Sequence, residues 1–301
     1  MIAWGQDGNA TMPEPTKTVR DLIRTEYDQL TQSERKLANA LLENYPAAGL
    51  ASITIVAANA GVSTPTVARM VKKLGFQSFP QFHQVLRDEL EATVSGPVKK
   101  RERWASEAPE SHILNRFADA VMQNMRQTLS HVDTGRFDAA VHRMADCDGQ
   151  LFVVGGRVTR ALADYAFTHL QAIRPRVTHM TSSAATWPHY VLDMTHGDVL
   201  LMFDIRRYET NLLRLAELAK DRGVTVILIT DQWTSPVSKI ADQIFNCWGE
   251  IPSAWDSNIS TMMLLEALIA AVQETSWTDT RARFEELDGI FDLTRLYKKS
   301  T

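Results

Sequence analysis

A chain of 301 residues, 45% hydrophobic and 23% charged with a net charge of −4, is neither disordered nor fibrous in composition and is long enough for about two compact domains. Cys147 and Cys247 are its only cysteines, with no His or second Cys at ligand spacing, so they read as reduced thiols rather than a disulfide framework or a zinc site. No stretch approaches about 18 uninterrupted apolar residues and the first residues lack a basic start with an apolar run, which points to a soluble, cytoplasmic protein without membrane contact.

In chain order, residues 1–17 are polar and broken by Pro13 and Pro15, and read as a disordered leader. From Val19 to about Leu90, apolar residues recur at three- and four-residue spacing in bursts separated by Pro46, Gly61 and Gly75. That is the pattern of several short helices, an all-α domain over 18–92. Gly96, Pro97, Pro109 and the run Lys99, Lys100, Arg101 mark 93–111 as a linker that starts or ends in helix. Ile113, Phe117, Val121, Met125 and Leu129 then step by four along one amphipathic helix, and a second helix follows at about Phe137–Ala145. Beyond it, Leu151–Val154, Val199–Phe203 and Val224–Ile229 are nearly unbroken apolar runs separated by helical segments. With further strands at Val177–Met180 and Gln243–Cys247, they imply a five-stranded parallel sheet flanked by helices, an α/β domain over 112–276 with a helical tail at 277–301.

In the first domain, Thr31 and Glu34 form a capping box that starts a helix ending before Pro46. The stretch from Ile53 to Gly75 reads as two short helices around a tight turn. Gly61 supplies the positive φ, Val62 plugs the angle between the helices, Ser63 caps the second helix, Pro65 sits in its first turn and Gly75 closes it. On the second helix Val67, Met70, Val71 and Leu74 form the buried stripe, while Thr66, Arg69 and Lys73 share the opposite side with Lys72 beside them. One face anchors, and the other offers hydroxyl and cationic donors to a major groove. The candidate DNA-binding set is Ser63, Thr64, Thr66, Arg69, Lys72 and Lys73. Between Asn44 and Arg87 the only formally charged residues are Arg69, Lys72, Lys73 and Arg87, so the acidic total is made elsewhere. A dimer using three cations per chain predicts a log–log salt slope of roughly −5.

The run from Leu30-Thr31-Gln32-Ser33-Glu34 through Gly61-Val62-Ser63 to Lys73-Leu74-Gly75-Phe76-Gln77-Ser78-Phe79 and Phe82 resembles the N-terminal helix-turn-helix domain of RpiR/MurR-type bacterial regulators. Over about residues 135–275 the chain resembles the SIS (sugar isomerase) domain that usually accompanies it. Three places carry the second likeness: Leu151 to Thr159, Gly197 to Asp204, and Val226-Ile227-Leu228-Ile229-Thr230-Asp231 with Ser235-Pro236. The resemblance implies double-stranded operator DNA as partner, a homodimer or homotetramer, and a small effector such as a sugar phosphate, sugar acid or organic acid. No metal-ligand or nucleophile motif occurs in the chain, and no cofactor, metal or catalytic residue is expected.

The chain departs from the family pattern where phosphosugar binders of this family show serine-rich turns. After the first strand stands Gly155-Gly156-Arg157-Val158-Thr159, and after the third Asp204-Ile205-Arg206-Arg207. Only Thr159 keeps a hydroxyl. The candidate effector site is therefore Gly155, Gly156, Arg157, Thr159, Ser182, Ser183, Asp204, Arg206 and Arg207, with arginines replacing the hydroxyl cradle as partners of an anion. The alternative is that these arginines pair with Asp204, Glu209 or a neighbouring subunit and that the pocket is vestigial. A phosphosugar isomerase or lyase is the rival from another class. It needs a placed acid/base pair, and His179 and His189 are the only histidines near the sheet edge.

Overall fold

The computed structural model describes residues 18–94, 96–106, 112–146, 148–181 and 183–294, so the expected leader, Cys147 and Ser182 lie outside the described residues. The chain divides into two compact units that part at Ser95 and Gly96.

Among the described residues the first unit holds five α-helices: α1 (Val19–Glu26), α2 (Gln32–Glu43), α3 (Ile53–Asn59), α4 (Thr64–Lys73) and α5 (Phe79–Val94). The Thr31–Glu34 capping box starts α2, and an equivalent one between Thr18 and Asp21 starts α1, each satisfying amide hydrogens that no turn of helix can reach. Gly61 turns the chain between α3 and α4 at φ +62°, a region that a Cβ disfavours. Val67, Met70, Val71 and Leu74 close onto Leu37, Leu41, Val56, Phe82 and Leu86 in a single core.

The second unit begins with α6 (Pro97–Ser106), which occupies part of the segment read as a linker. It continues through α7 (Ile113–His131), α8 (Thr134–Ala145), β1 (Leu151–Gly155), α9 (Arg160–Ile173), β2 (Val177–His179) and α10 (Trp187–Asp193). Then come β3 (Val199–Asp204), α11 (Thr210–Asp221), β4 (Thr225–Asp231), β5 (Gln243–Cys247), α12 (Ile259–Thr275) and α13 (Trp277–Thr294). All strand pairs are parallel, in the order β2-β1-β3-β4-β5.

Both faces of the sheet are covered, which is why its strands read as unbroken apolar runs. Leu151, Val153, Leu201, Phe203, Ile227 and Ile229 face a layer made by α8, α9 and α12. Phe152, Val154, Leu200, Met202, Val226 and Leu228 face α10 and α11. The stripe expected along α7 is only partly covered: Val121 is buried with Ala120 and Ile251, whereas Ile113 and Leu129 are exposed. The C-terminal helix α13 docks on α9, where Arg283 donates to the carbonyls of Gln171 and Ala172.

The connection from β1 through α9 leads outward to β2, whereas β3, β4 and β5 extend the other way. The carboxyl ends of β1 and β3 thus flank a topological switch point, the place where open α/β sheets take ligands.

Candidate functional site

In the helical unit, α4 divides its faces nearly as its spacing requires. Arg69 and Lys72 are exposed, together with Ser63 and Pro65 at the start of the helix, and Thr64 is half-buried. Three expectations are corrected. Thr66 is buried, because its hydroxyl turns back to pair with Ser63 Oγ at 2.9 Å and accepts from Arg69 Nη2 at 3.2 Å. Ser63 occupies the N-cap position of α4 without a side-chain bond to a helix amide, its hydroxyl being spent on Thr66. Lys73 has a structural partner. Its Nζ lies 2.7 Å from Glu34 Oε2, whose carboxylate is buried. Burial raises the Glu34 pKa, but donation from Lys73 and Thr31 outweighs it and leaves the group below the ordinary carboxylate range. Arg69 and Lys72 are the cations this face offers outward, on a stretch with no acid between Asn44 and Arg87.

In the sheet unit, the crevice between the ends of β1 and β3 carries most of the residues singled out for an effector. The geometry commits several of them elsewhere. Thr159 is buried, its hydroxyl accepting from the Gly156 amide at 2.8 Å and donating to the Phe203 carbonyl at 2.8 Å. It joins β1 to β3 and has no hydrogen left for a ligand. Asp204 is buried beneath the crevice, accepting from the Ser235 hydroxyl and from the Glu209 amide at 3.4 Å. Burial pushes its carboxyl up to about 6.

The amide of Arg157, just ahead of α9, donates to Glu209 Oε1 at 2.6 Å. A Cβ on Gly156 would stand 2.7 Å from the same oxygen, so the glycine is what lets this carboxylate approach. Glu209 thus places the protein's own anion at the amino end of α9, where amides and the helix dipole favour negative charge. The Arg157 side chain is exposed there, whereas Arg207, also exposed, carries its guanidinium next to Gly96 ahead of α6. Ser183 is exposed before α10 and makes no side-chain cap.

Arg206 is not a free anion receptor. Its Nε and Nη2 lie 2.8–3.1 Å from both Asp256 carboxylate oxygens, and Nη2 lies 3.7 Å from Glu250 Oε1. Burial works against the guanidinium charge, but Asp256 more than restores it, and the pKa is raised. The pairing alternative thus holds for Arg206, but with Asp256 and Glu250 rather than Asp204 or Glu209. Its backbone amide donates to Asp231 at 2.9 Å, and Tyr208 donates its phenol to the same carboxylate at 2.6 Å. Asp256 is shared with Lys100 of α6. A small cleft lies between Arg206, Gln232, Trp233, Gly249 and Thr261.

Sequence reasoning assigned no place at the site to Lys100, Asp231, Asp256 or Ser235, and treated Glu209 only as a helix start and an ion-pair partner. The usable signal for Glu209 was an acid closing the loop after β3, at the switch point. Of the histidines, His179 Nδ1 is 3.6 Å from an exposed Asp164 with its ring stacked on Phe167, and His189 is exposed, its ring nitrogen 3.1 Å from the Thr186 carbonyl. Neither reaches the crevice residues through any hydrogen bond or ion pair among the described residues. The described residues contain no group of three or more side chains suited to hold a metal, and no helix among them is long and apolar enough to cross a membrane.

Two family models match the chain: "Helix-turn-helix domain, rpiR family" over residues 17–93 and "SIS domain" over residues 144–271. The chain is 22% identical over 279 residues to the HTH-type transcriptional regulator RpiR of Escherichia coli K12, covering 90% of this chain and 91% of that one. It is 25% identical over 215 residues to the HTH-type transcriptional regulator HexR of the same organism, covering 70% and 72%. Its fold is similar to that of the Vibrio vulnificus NanR protein, solved in complex with ManNAc-6P, at a TM-score of 0.54 and 16% identity over 93% of this chain and all of that one.

Proposed function

The chain belongs to the RpiR family of helix-turn-helix transcriptional regulators carrying a SIS domain, and on that premise we propose that α4 reads operator DNA while the β1/β3 crevice senses a small anionic metabolite. The observation that carries the DNA half is the division of α4. Val67, Met70 and Val71 are fixed in the core while Arg69 and Lys72 stand outward on a segment without acids. The contacting set is then Ser63, Thr64, Arg69 and Lys72, with Lys73 and Thr66 holding the helix in place. A cytoplasmic location belongs to this reading. The test is fluorescence anisotropy with a duplex spanning the promoter of its own gene. The wild-type chain binds with a steep salt dependence, and Arg69→Ala with Lys72→Ala abolishes specific binding. Wild-type affinity in that double variant refutes the assignment.

For the sensor, Glu209 on the Arg157 amide just ahead of α9 supports an anionic effector, since the site already holds a carboxylate. The exposed Arg157 side chain, whose own amide holds Glu209, supplies charge that draws the ligand in. A sugar phosphate, sugar acid or organic acid meets these requirements. We read the domain as a sensor rather than an isomerase because the hydroxyls and acids that turnover needs are consumed in holding β1, β3 and β4 together. A homodimer or homotetramer belongs to this reading, and the apolar residues Ile113, Leu114, Met122 and Leu129 that α7 leaves uncovered support self-association. Ligand binding then alters the separation of two recognition helices relative to half-sites about one DNA turn apart.

A further inference from the structure

Lys100 lies on α6, the first helix of the second unit, which starts three residues after α5 ends. A lysine in a segment of that composition is ordinarily solvated, yet this one is 6% exposed. Its ammonium meets Asp256, which stands on the chain between β5 and α12. The same carboxylate is clasped by two guanidinium nitrogens of Arg206, with Nη2 reaching both of its oxygens. Arg206 belongs to the segment after β3 that ends three residues later at Glu209, the residue filling the crevice. Lys100, Asp256, Arg206 and Glu209 therefore form one continuous series from the crevice to the helix joined directly to the DNA-binding unit.

We propose that the Lys100–Asp256–Arg206 chain of ion pairs is the device by which occupancy of the crevice is transmitted to α6, and through α6 to the helix-turn-helix unit. The proposal rests on reading the crevice as the effector site. An anion that takes the Arg157 amide displaces the Glu209 carboxylate and shifts the segment 204–209 that carries Arg206. The two-pronged clasp on Asp256 depends on alignment, so a shift of that segment loosens it. Asp256 is the ion-pair partner of Lys100, and Glu250 acts on Lys100 only electrostatically at longer range. A buried ammonium whose carboxylate moves away is strongly destabilised and regains water only if α6 undocks. Burial already lowers the Lys100 pKa, and the attraction of Asp256 offsets this only in part. Two discrete arrangements follow, α6 docked and α6 released, which is what a packed charged contact supplies to a switch.

The test is hydrogen–deuterium exchange on the full chain, read at the α6 amides with those of β1, β3 and β4 as the folding control. Asp256→Asn is expected to accelerate exchange over 97–106 by at least roughly ten-fold while the sheet is unchanged. Lys100→Met replaces the ammonium with an apolar chain of similar length, so the double variant should return to slow exchange. Glu209→Ala should accelerate α6 as Asp256→Asn does, and should have no effect in the Lys100→Met background. Unchanged α6 exchange in Asp256→Asn or in Glu209→Ala, or acceleration that persists with Lys100→Met, overturns the proposal. With the promoter duplex, Glu209→Ala should shift the Kd by at least roughly five-fold, and by less than two-fold when combined with Lys100→Met; equal shifts in both backgrounds refute transmission. Failure of the effector reading is separately visible: neither inorganic phosphate nor glucose 6-phosphate then raises the melting temperature of the wild type or of Glu209→Ala, whatever α6 does.

Discussion

Glu209 Oε1 accepts a hydrogen bond from the backbone amide of Arg157 at 2.6 Å, so the amino end of α9 is occupied by a carboxylate from the loop after β3. An external anion must compete with it. We expect Glu209→Gln to bind inorganic phosphate or glucose 6-phosphate about ten-fold more tightly than the wild type, a gain of about 1.4 kcal/mol, read by isothermal titration. Equal affinities in the two chains would remove Glu209 from the site.

The two ends of α4 should separate in mutagenesis. Arg69→Ala and Lys72→Ala are each expected to weaken promoter binding and, where the cation neutralises a phosphate, to reduce the salt slope by about one unit, with an unchanged melting temperature. Lys73→Ala removes the partner of the buried Glu34 and is expected to cost roughly 1 kcal/mol of stability, its half-exposed ammonium being worth less than a buried one. Calorimetry of the three variants checks the distinction, and a lower melting temperature in Arg69→Ala alone would reverse it.

Arg206 should behave as a structural cation. Arg206→Ala leaves Asp256 to Lys100 alone in a half-buried site and is expected to cost about 3 kcal/mol, which lowers the melting temperature by at least roughly 6 °C in a domain of this size. Arg206→Lys recovers less than half of the loss, because an ammonium cannot reproduce the two-pronged contact. Thermal unfolding decides. A wild-type melting temperature in Arg206→Ala would show that the pairing carries no stability.

Burial pushes the Glu89 carboxyl on α5 up to about 7, against the Val19 amide that donates to it, with Asp21 adding to the rise and Arg20 opposing it. The folded helical unit then holds this proton more tightly than the unfolded chain does. Its contribution to stability is complete below about pH 4.5 and is lost as the pH rises to about 7, amounting to at most about 3 kcal/mol. Asp204 acts with the same sign in the other unit. Glu89→Gln should flatten the dependence over this interval while leaving the Asp204 contribution. Urea titrations of both chains from pH 4.5 to 8 check it, and parallel curves would refute the assignment.

The elements of both units were legible because periodicity is local. Runs buried on both faces marked β1, β3 and β4, and three- and four-residue spacing placed Val67, Met70, Val71 and Leu74 on one side of α4. The same spacing misplaced Thr66, which shares an angular sector with Arg69 but is short enough to fold its hydroxyl back onto Ser63. A stretch with Gly, Pro and three successive cations reads as a linker, but burying Lys100 requires a carboxylate 156 positions further along.

The chain by itself determined that a cationic helix follows a tight turn, that a parallel sheet follows it, and that the turns after β1 and β3 lack serines. These are properties of residue type and spacing within a few turns of chain. Only the tertiary structure decided which polar groups remain available to a partner. The Thr159 hydroxyl, the Arg206 guanidinium and the Arg157 amide are consumed by Phe203, Asp256 and Glu209, each more than 40 residues away. A buried donor must find its acceptor wherever the fold brings one, and local sequence carries no record of that meeting.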